Sequence, residues 1–339
     1  MADKIIRVTT ERARAIAASA CIAAGADAAT TRSLVDAIVS AAQFGRDELG
    51  FPHLLDYLAG LQAGRITGNA RPSIAYPLPG VIQSDAMGGI AQLGFDWAFA
   101  ELCSRARSLG IAVFTQRNSF TTGELGYYVR RLALVGLMGF AVTNGPILMA
   151  AAPGGPKVYC TNPLAFGAPM PEGTKPLVID QASSATAFLN IRKAAAEHRT
   201  IPEGWAIDRS GQPTTDAQAA LEGALLPFGG YKGANIALLV EVLSAGLSGA
   251  SWSLDAPSFA SGDRCPDCGL TVIAISAVDP DPKSRLAAQL RRLQAQGVSI
   301  PSQRDSAASN PDTDSVLVSE TIMRQLEHYS TIVPRAGDS

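Results

Sequence analysis

The spacing of apolar positions predicts three helices near the start of the chain. Residues 9–44 divide into two. Thr9 and Thr10 can cap the first, with Glu11 in its first turn, and Asp27, Thr30 and Thr31 can start the second. Leu34, Val35, Ile38, Val39 and Ala42 form the apolar face of that second helix, and Leu54, Leu55, Tyr57, Leu58 and Leu61 repeat the pattern over 52–63. A proline-punctuated extended stretch, RPSIAYPLPGVIQSDAMGG, precedes an amphipathic helix, GFDWAFAELCSRARSLG, that ends at Gly110. Beyond it, IAVFTQRN, LMGFAVTNG, PLVIDQASS and LTVIAISAV read as strands. GELGYYVRRLALVG, GGYKGANIALLVEVLSAGLSG and PKSRLAAQLRRLQAQG read as helices. Strands alternating with helices predict the α/β class. Residues 302–313 read as a loop and the chain beyond Pro334 as a frayed tail.

Composition narrows the function classes. With 339 residues, 47% of them hydrophobic and 17% charged, the chain can bury a large core. A net charge of −2 offers no basic field for nucleic acid or an anionic membrane. The N-terminus lacks a signal peptide's apolar core, and no apolar run is long enough to span a bilayer, so a cytoplasmic protein is expected. Cys21, Cys103 and Cys160 lie in apolar contexts and read as reduced core thiols. Cys265 and Cys268 form a single CPDC in the loop FASGDRCPDCGL, which supplies two metal ligands at most. They read as incidental loop thiols, with an opportunistic disulfide or a functional pair as the alternatives.

Four features carry candidate chemistry. In LPFGGYKGANIALLVE, Gly229, Gly230 and Gly233 allow close backbone approach, Lys232 offers a cation, and a helix N-terminus near Ala234 presents free N–H groups. The combination suits a phosphate or carboxylate, or is a tight turn into a buried helix; it is not a Walker pattern. No G-x-G-x-x-G follows a strand, so a dinucleotide enzyme here does not use the common Rossmann fingerprint. Asp180 ends an apolar strand before Ser183 and Ser184, where a carboxylate can orient a histidine, hold a proton or cap a helix. Asn118, Ser119, Thr121, Thr122 and Gly123 form a polar strand-to-helix loop, a common place for ligand contacts as well as for ordinary capping.

Taken in order, these stretches resemble the malate/L-lactate dehydrogenase family, the non-Rossmann NAD(P)-dependent reductases of 2-oxoacids and cyclic imines. The resemblance covers about residues 5–305. It rests on IPEGWAIDRSGQPTTD followed by LLPFGGYKGANIALLVEVLSAGLSG, on CTNPLAFGAP, GYY and TNGP, and on Asp180 with its serine pair. It implies an NAD(P)-binding α/β domain over 76–284, and a helical domain from 1–75 and 285–335 that holds the start of the active-site segment. A homodimer, a small-molecule substrate and NADPH or NADH as cofactor are implied as well. Carried over, Asn118, Ser119, Thr121, Thr122 and Gly123 face the cofactor, as do Thr161, Asn162, Pro163 and Ser183. Lys232 and Arg304 are possible phosphate contacts and tilt the expectation toward NADP. His53, Thr121, Gly229 and Gly230 are expected on the substrate side.

The stretch FGRDELGFPHLLDY departs from the family pattern. Family members carry Ser-His-Gly there, with an arginine four residues beyond the histidine. The histidine supplies a proton, the later aspartate orients it and the arginine grips a carboxylate. Here the positions hold Glu48, Leu49, Gly50 and His53. Thr121, Thr122 and Gly123 stand where a second family histidine is often found. Leucine cannot donate a proton, and a histidine cannot form arginine's bidentate fork. Three expectations follow, with Asp180, Glu48 and His53 as the candidate catalytic groups. The leading one is reduction of a C=N substrate, such as a cyclic 2-imino carboxylate, with Asp180 or Glu48 beside the cation. The second is 2-oxoacid reduction with Glu48 or His53 as donor, and the third a cofactor-binding homologue without redox activity. His198 and His328 read as surface or capping residues.

Overall fold

The computed structural model describes residues 4–301 and 314–331; Arg304, the whole predicted 302–313 loop and the tail beyond Pro334 lie outside them. Seven strands form the central sheet, in the order Ser73–Leu78, Val81–Asp85, Ile111–Ser119, Cys268–Ile275, Met138–Thr143, Leu164–Ala168 and Leu177–Gln181. Val81–Asp85 and Ile111–Ser119 run parallel, joined by the helix Ala91–Leu109. That unit is the α/β alternation predicted from the sequence. The remaining neighbours in this sheet pair antiparallel. Gly110, with φ +85°, turns the helix into its strand, a conformation that suits glycine.

Two helices cover the sheet, and Phe95, Leu102, Phe114, Tyr128, Leu132 and Val272 fill the space between them. The helix Leu125–Leu134 sits very close to the strands. A Cβ at Gly167 would lie 2.6 Å from the Val129 carbonyl oxygen, so only glycine lets this helix pack down. Its N-terminus is thereby fixed beside the end of the edge strand that carries Asp180.

A helical layer packs beside the sheet. Thr10–Ala23, Ala28–Gln43 and Phe51–Gln62 surround Leu34, Ile38, Leu54, Tyr57 and Leu58. The caps fall where the sequence puts them: Thr9 Oγ1 accepts from Arg12 N at 3.3 Å and Asp27 Oδ1 from Thr30 N at 2.9 Å. Two strands were not anticipated. Ile5–Thr9 pairs antiparallel with Ser315–Ser319, and the helix Glu320–Thr331 follows to pack on Thr10–Ala23. The charged helix Pro282–Ala295 packs elsewhere, through Ala287 and Leu290 against Ala168, Met170 and Leu177 of the sheet. Of the C-terminal segment expected in the helical layer, it is Ser315–Thr331 that joins the N-terminal helices.

A second sheet of five short strands takes in the PEGW region and lies under the helices Phe188–Ala196 and Ala217–Glu222. All five cysteines are free thiols. Cys268 is not in a loop: it opens the central strand Cys268–Ile275 and is buried.

Candidate active site

The segment 44–57 links the second and third helices. A single 3-10 turn, Asp47–Leu49, follows the helix end at Phe44, and Gly50 leads into Phe51–Gln62 with Pro52 in the first turn. A Cβ at Gly50 would touch Ala42 Cβ and the Asp47 carbonyl at 3.3 Å, so the turn is pressed against the preceding helix. Glu48 points outward: its carboxylate lies 3.6 Å from Lys193 Nζ and is 43% exposed. Leu49 is half-buried. Arg46 is the residue of this turn that reaches the edge strand, donating from Nη2 to the Asp180 carbonyl at 3.2 Å.

His53 sits one turn into the third helix. Its Nδ1 lies 2.9 Å from Asp56 Oδ2, and its Nε2 lies 3.5 Å from Thr121 Oγ1, at the outer limit of a hydrogen bond. Thr121 belongs to the predicted polar loop, whose backbone is held from three sides. Tyr57 Oη donates to the Thr121 carbonyl at 2.9 Å, Gln92 Nε2 to the Thr122 carbonyl at 3.0 Å and Tyr128 Oη to the same carbonyl at 2.8 Å. Gly123 adopts φ +68° and lies against Gln92. Asn118 and Ser119 are tied into the sheet instead: Asn118 Nδ2 donates to Asp85 at 3.0 Å, and the fully buried Ser119 Oγ lies 3.0 Å from the Cys268 carbonyl.

Asp180 lies at the far end of the same loop. Its Oδ2 accepts from the Gly126 N–H at 2.8 Å, at the N-terminus of Leu125–Leu134. Burial and the neighbouring Glu124 charge raise its pKa to about 6, against the pull of the Gly126 N–H, Arg46 and Arg130. Glu124 is itself locked in a buried pair with Arg130, at 3.0 and 2.8 Å, and Arg130 also donates to Ser40 Oγ and stacks over Phe44. The segment 121–126 therefore carries His53's neighbour at one end and Asp180's donor at the other.

The CTNP and VIDQASS stretches lie side by side. Ser183 N donates to the Thr161 carbonyl at 2.8 Å, and Ser183 Oγ to the Asn162 carbonyl at 2.6 Å. Thr161 and Pro163 are partly exposed beside them. Asn162 is fully buried at φ +37°, with its Nδ2 on Glu241 Oε2 at 2.7 Å. Glu241 was not singled out by sequence reasoning, yet it also accepts from Ser253 N at 2.6 Å, Ser253 Oγ at 2.8 Å and Asn144 Nδ2 at 3.4 Å. A lone acid in the apolar run NIALLVEVL is the signal that marks it.

Gly229 and Gly230 adopt φ +58° and +64° and are exposed, with nothing within 4 Å of an added Cβ. They open the helix Tyr231–Glu241, whose first turn has no side-chain cap, and Lys232 is exposed there. An open glycine pair, uncapped N–H groups and an exposed ammonium fit an anionic cofactor. The buried Asn162 Oδ1, which has no partner among the described residues, marks an acceptor on the same wall. Between Phe51–Gln62 and Phe188–Ala196 a cavity of about 590 Å³ is lined by Asp56, Arg65, Pro146 and Arg192.

The chain thus combines a largely antiparallel α/β sheet, a helical layer and an open glycine turn at a helix N-terminus, with no Rossmann fingerprint. The family model for malate/L-lactate dehydrogenase matches residues 8–325, and the chain belongs to that family. It is 34% identical over 335 residues to a Δ1-pyrroline-2-carboxylate/Δ1-piperideine-2-carboxylate reductase of Pseudomonas aeruginosa, covering 95% of this chain and 98% of that one. It is 32% identical over 332 residues to a (2R)-3-sulfolactate dehydrogenase (NADP(+)) of Chromohalobacter salexigens, covering 95% and 98%. Among solved structures, Δ1-piperideine-2-carboxylate reductase from Pseudomonas syringae superposes with a TM-score of 0.88 at 29% identity, covering 96% and 99%. The chain is thus an NAD(P)-dependent oxidoreductase.

Proposed function

We propose that the protein reduces a C=N bond in a small cyclic 2-imino carboxylate. The observation that carries this reading is the segment 44–57. By the sequence resemblance Leu49, at the end of the turn Asp47–Leu49, stands at the position of a proton-donating histidine, and the carboxylate of Asp180 lies at the strand end. An imine that arrives protonated accepts hydride without a further proton at the reacting atom, and an adjacent anion favours its cation. Relatives that reduce Δ1-pyrroline- and Δ1-piperideine-2-carboxylate support the same substrate class.

The cofactor, when bound, supplies the hydride. Gly229, Gly230, Lys232 and the N–H groups of the Tyr231–Glu241 helix are suited to hold its phosphates, and the Thr161–Asn162–Pro163 wall to hold its nicotinamide end. Lys232 and the relative named for NADP(+) favour NADPH over NADH. Exposed Tyr231, Leu238, Leu239 and Val242 on that helix support a homodimer.

Absorbance of NADPH or NADH, followed with panels of cyclic imines and 2-oxoacids, tests the substrate class. Oxidation with imines is the expected result. Oxidation with oxoacids alone would transfer the assignment to 2-oxoacid reduction.

A further inference from the structure

We propose that Asp56 is a positioning residue that fixes His53 as the proton carrier of this site. The proposal rests on the reading of the site as an imine reductase's and adds the acid that keeps the imine nitrogen protonated.

The geometry is that of an acid–imidazole pair aimed at a loop. Asp56 and His53 lie three residues apart on the helix Phe51–Gln62, so both side chains project from one face. Asp56 Oδ2 and His53 Nδ1 are 2.9 Å apart, and the imidazole is only 13% exposed. A carboxylate only accepts, so Nδ1 carries the proton and Nε2 is the nitrogen turned toward Thr121. The ring is braced edge-on by Tyr57, with centroids 5.0 Å apart. Arg192, from the helix Phe188–Ala196, lies 3.9 Å from the second Asp56 oxygen. Burial alone would raise the Asp56 pKa, but the His53 hydrogen bond and the charges of His53 and Arg192 outweigh it and hold the carboxyl below its ordinary value. Asp56 is therefore an anion at neutral pH. Asp56 also borders the 590 Å³ cavity, which gives the pair access to solvent protons.

The step is a simple proton transfer. The His53 Nε2–H bond breaks as a new N–H bond forms on the imine nitrogen, and the positive charge moves from imidazolium to substrate. Neutral His53 keeps its Nδ1–H on Asp56 and regains the Nε2 proton from solvent. Asp56 holds the tautomer that presents Nε2.

Two measurements test this on the full-length protein. In steady-state imine reduction, Asp56→Asn should lower kcat by about 10-fold with KM within about twofold. Asp56→Glu should recover part of the loss. The second measurement is ring-nitrogen NMR of the 15N-histidine protein, where three histidines keep the spectrum simple and His53→Gln assigns the resonance. Wild type should show neutral His53 as the Nδ1–H tautomer, and Asp56→Asn a mixture or the opposite tautomer. An unchanged tautomer and kcat in Asp56→Asn, with His53→Gln impaired, would overturn the positioning role. Full activity in His53→Gln would overturn the proton-carrier role while leaving imine reduction standing. If the wild type turns over no imine, the substrate reading fails, and the NMR result still decides the Asp56–His53 relationship.

Discussion

Glu124 and Asp180 face each other across Gly126, where a Cβ would lie 2.5 Å from Glu124 Oε1 and 3.2 Å from Asp180 Oδ2. Two carboxylates that close share the field of one neighbourhood, but they are not treated alike. Glu124 has Arg130 in a bidentate buried pair, and Asp180 has one backbone N–H. The uncompensated member is Asp180, whose pKa rises to about 6.

This fixes the sign of a pH effect. If ionised Asp180 stabilises a cationic imine, activity rises as pH increases through about 6. Asp180→Asn should remove that acidic limb and lower kcat by about 10²-fold. Steady-state rates between pH 4.5 and 8 in both proteins check it. A rate that falls as pH rises through the same range would instead make Asp180 a proton donor.

The same shift has a stability cost. A carboxyl whose folded pKa lies above its unfolded value favours the folded state at low pH, and that advantage disappears as pH rises from 3.8 to about 6. Above that window the ionised group destabilises the fold by roughly 3 kcal/mol. Asparagine keeps an acceptor for the Gly126 N–H without the charge. Asp180→Asn should therefore unfold at higher urea than wild type at pH 7.5 and at nearly the same urea at pH 4. Equal midpoints at both pH values would show that the carboxylate is better solvated than its surroundings suggest.

Glu241 offers a prediction about the cofactor wall. Its two oxygens accept from Asn144, Asn162 and Ser253, which tie together loops from three parts of the chain. Glu241→Gln turns an NH₂ group toward those donors and leaves buried groups unpaired, at about 2–3 kcal/mol. Cofactor affinity, measured by fluorescence titration, should weaken by at least about 10-fold, because Asn162 loses its carboxylate partner. A variant with wild-type affinity and stability would reduce Glu241 to a bystander.

What the sequence made legible follows from range. The helices over 10–62 and their caps at Thr9 and Asp27 depend on residues three or four apart, and periodicity finds them. The strand Ile5–Thr9 does not announce itself, because its partner Ser315–Ser319 lies at the other end of the chain. The site shows the same division. Asp180, Asn162 and Ser183 stood out as motif residues, whereas Glu241 and the Glu124–Arg130 pair became visible only through their partners. Glu48 stands beside the position where the resemblance expects a histidine, but its carboxylate turns to Lys193, and Arg46 takes the place next to Asp180. Neighbours along a 3-10 turn point in different directions, so adjacency there says little about which side chain enters the site.

Leu49 supplies the most direct test of why this segment differs from its family. The residue is half-buried at the end of the turn Asp47–Leu49, whose Leu49 N–H is held by the Arg46 carbonyl at 2.9 Å. A side chain there cannot exchange protons as long as it is aliphatic. Reducing a 2-oxoacid creates an alkoxide, and a placed acid typically accelerates that by about 10²–10⁴-fold, whereas a protonated imine needs no such group at the reacting atom. Leu49→His should therefore raise kcat/KM for 2-oxoacids by about 10²-fold and change imine reduction by less than about threefold. The ratio of the two substrate classes, measured on one preparation with saturating cofactor, is the quantity to follow. If the ratio stays constant while the variant remains folded and binds cofactor, position 49 does not face the reacting atom, and the residue there does not set the preference between the two substrate classes.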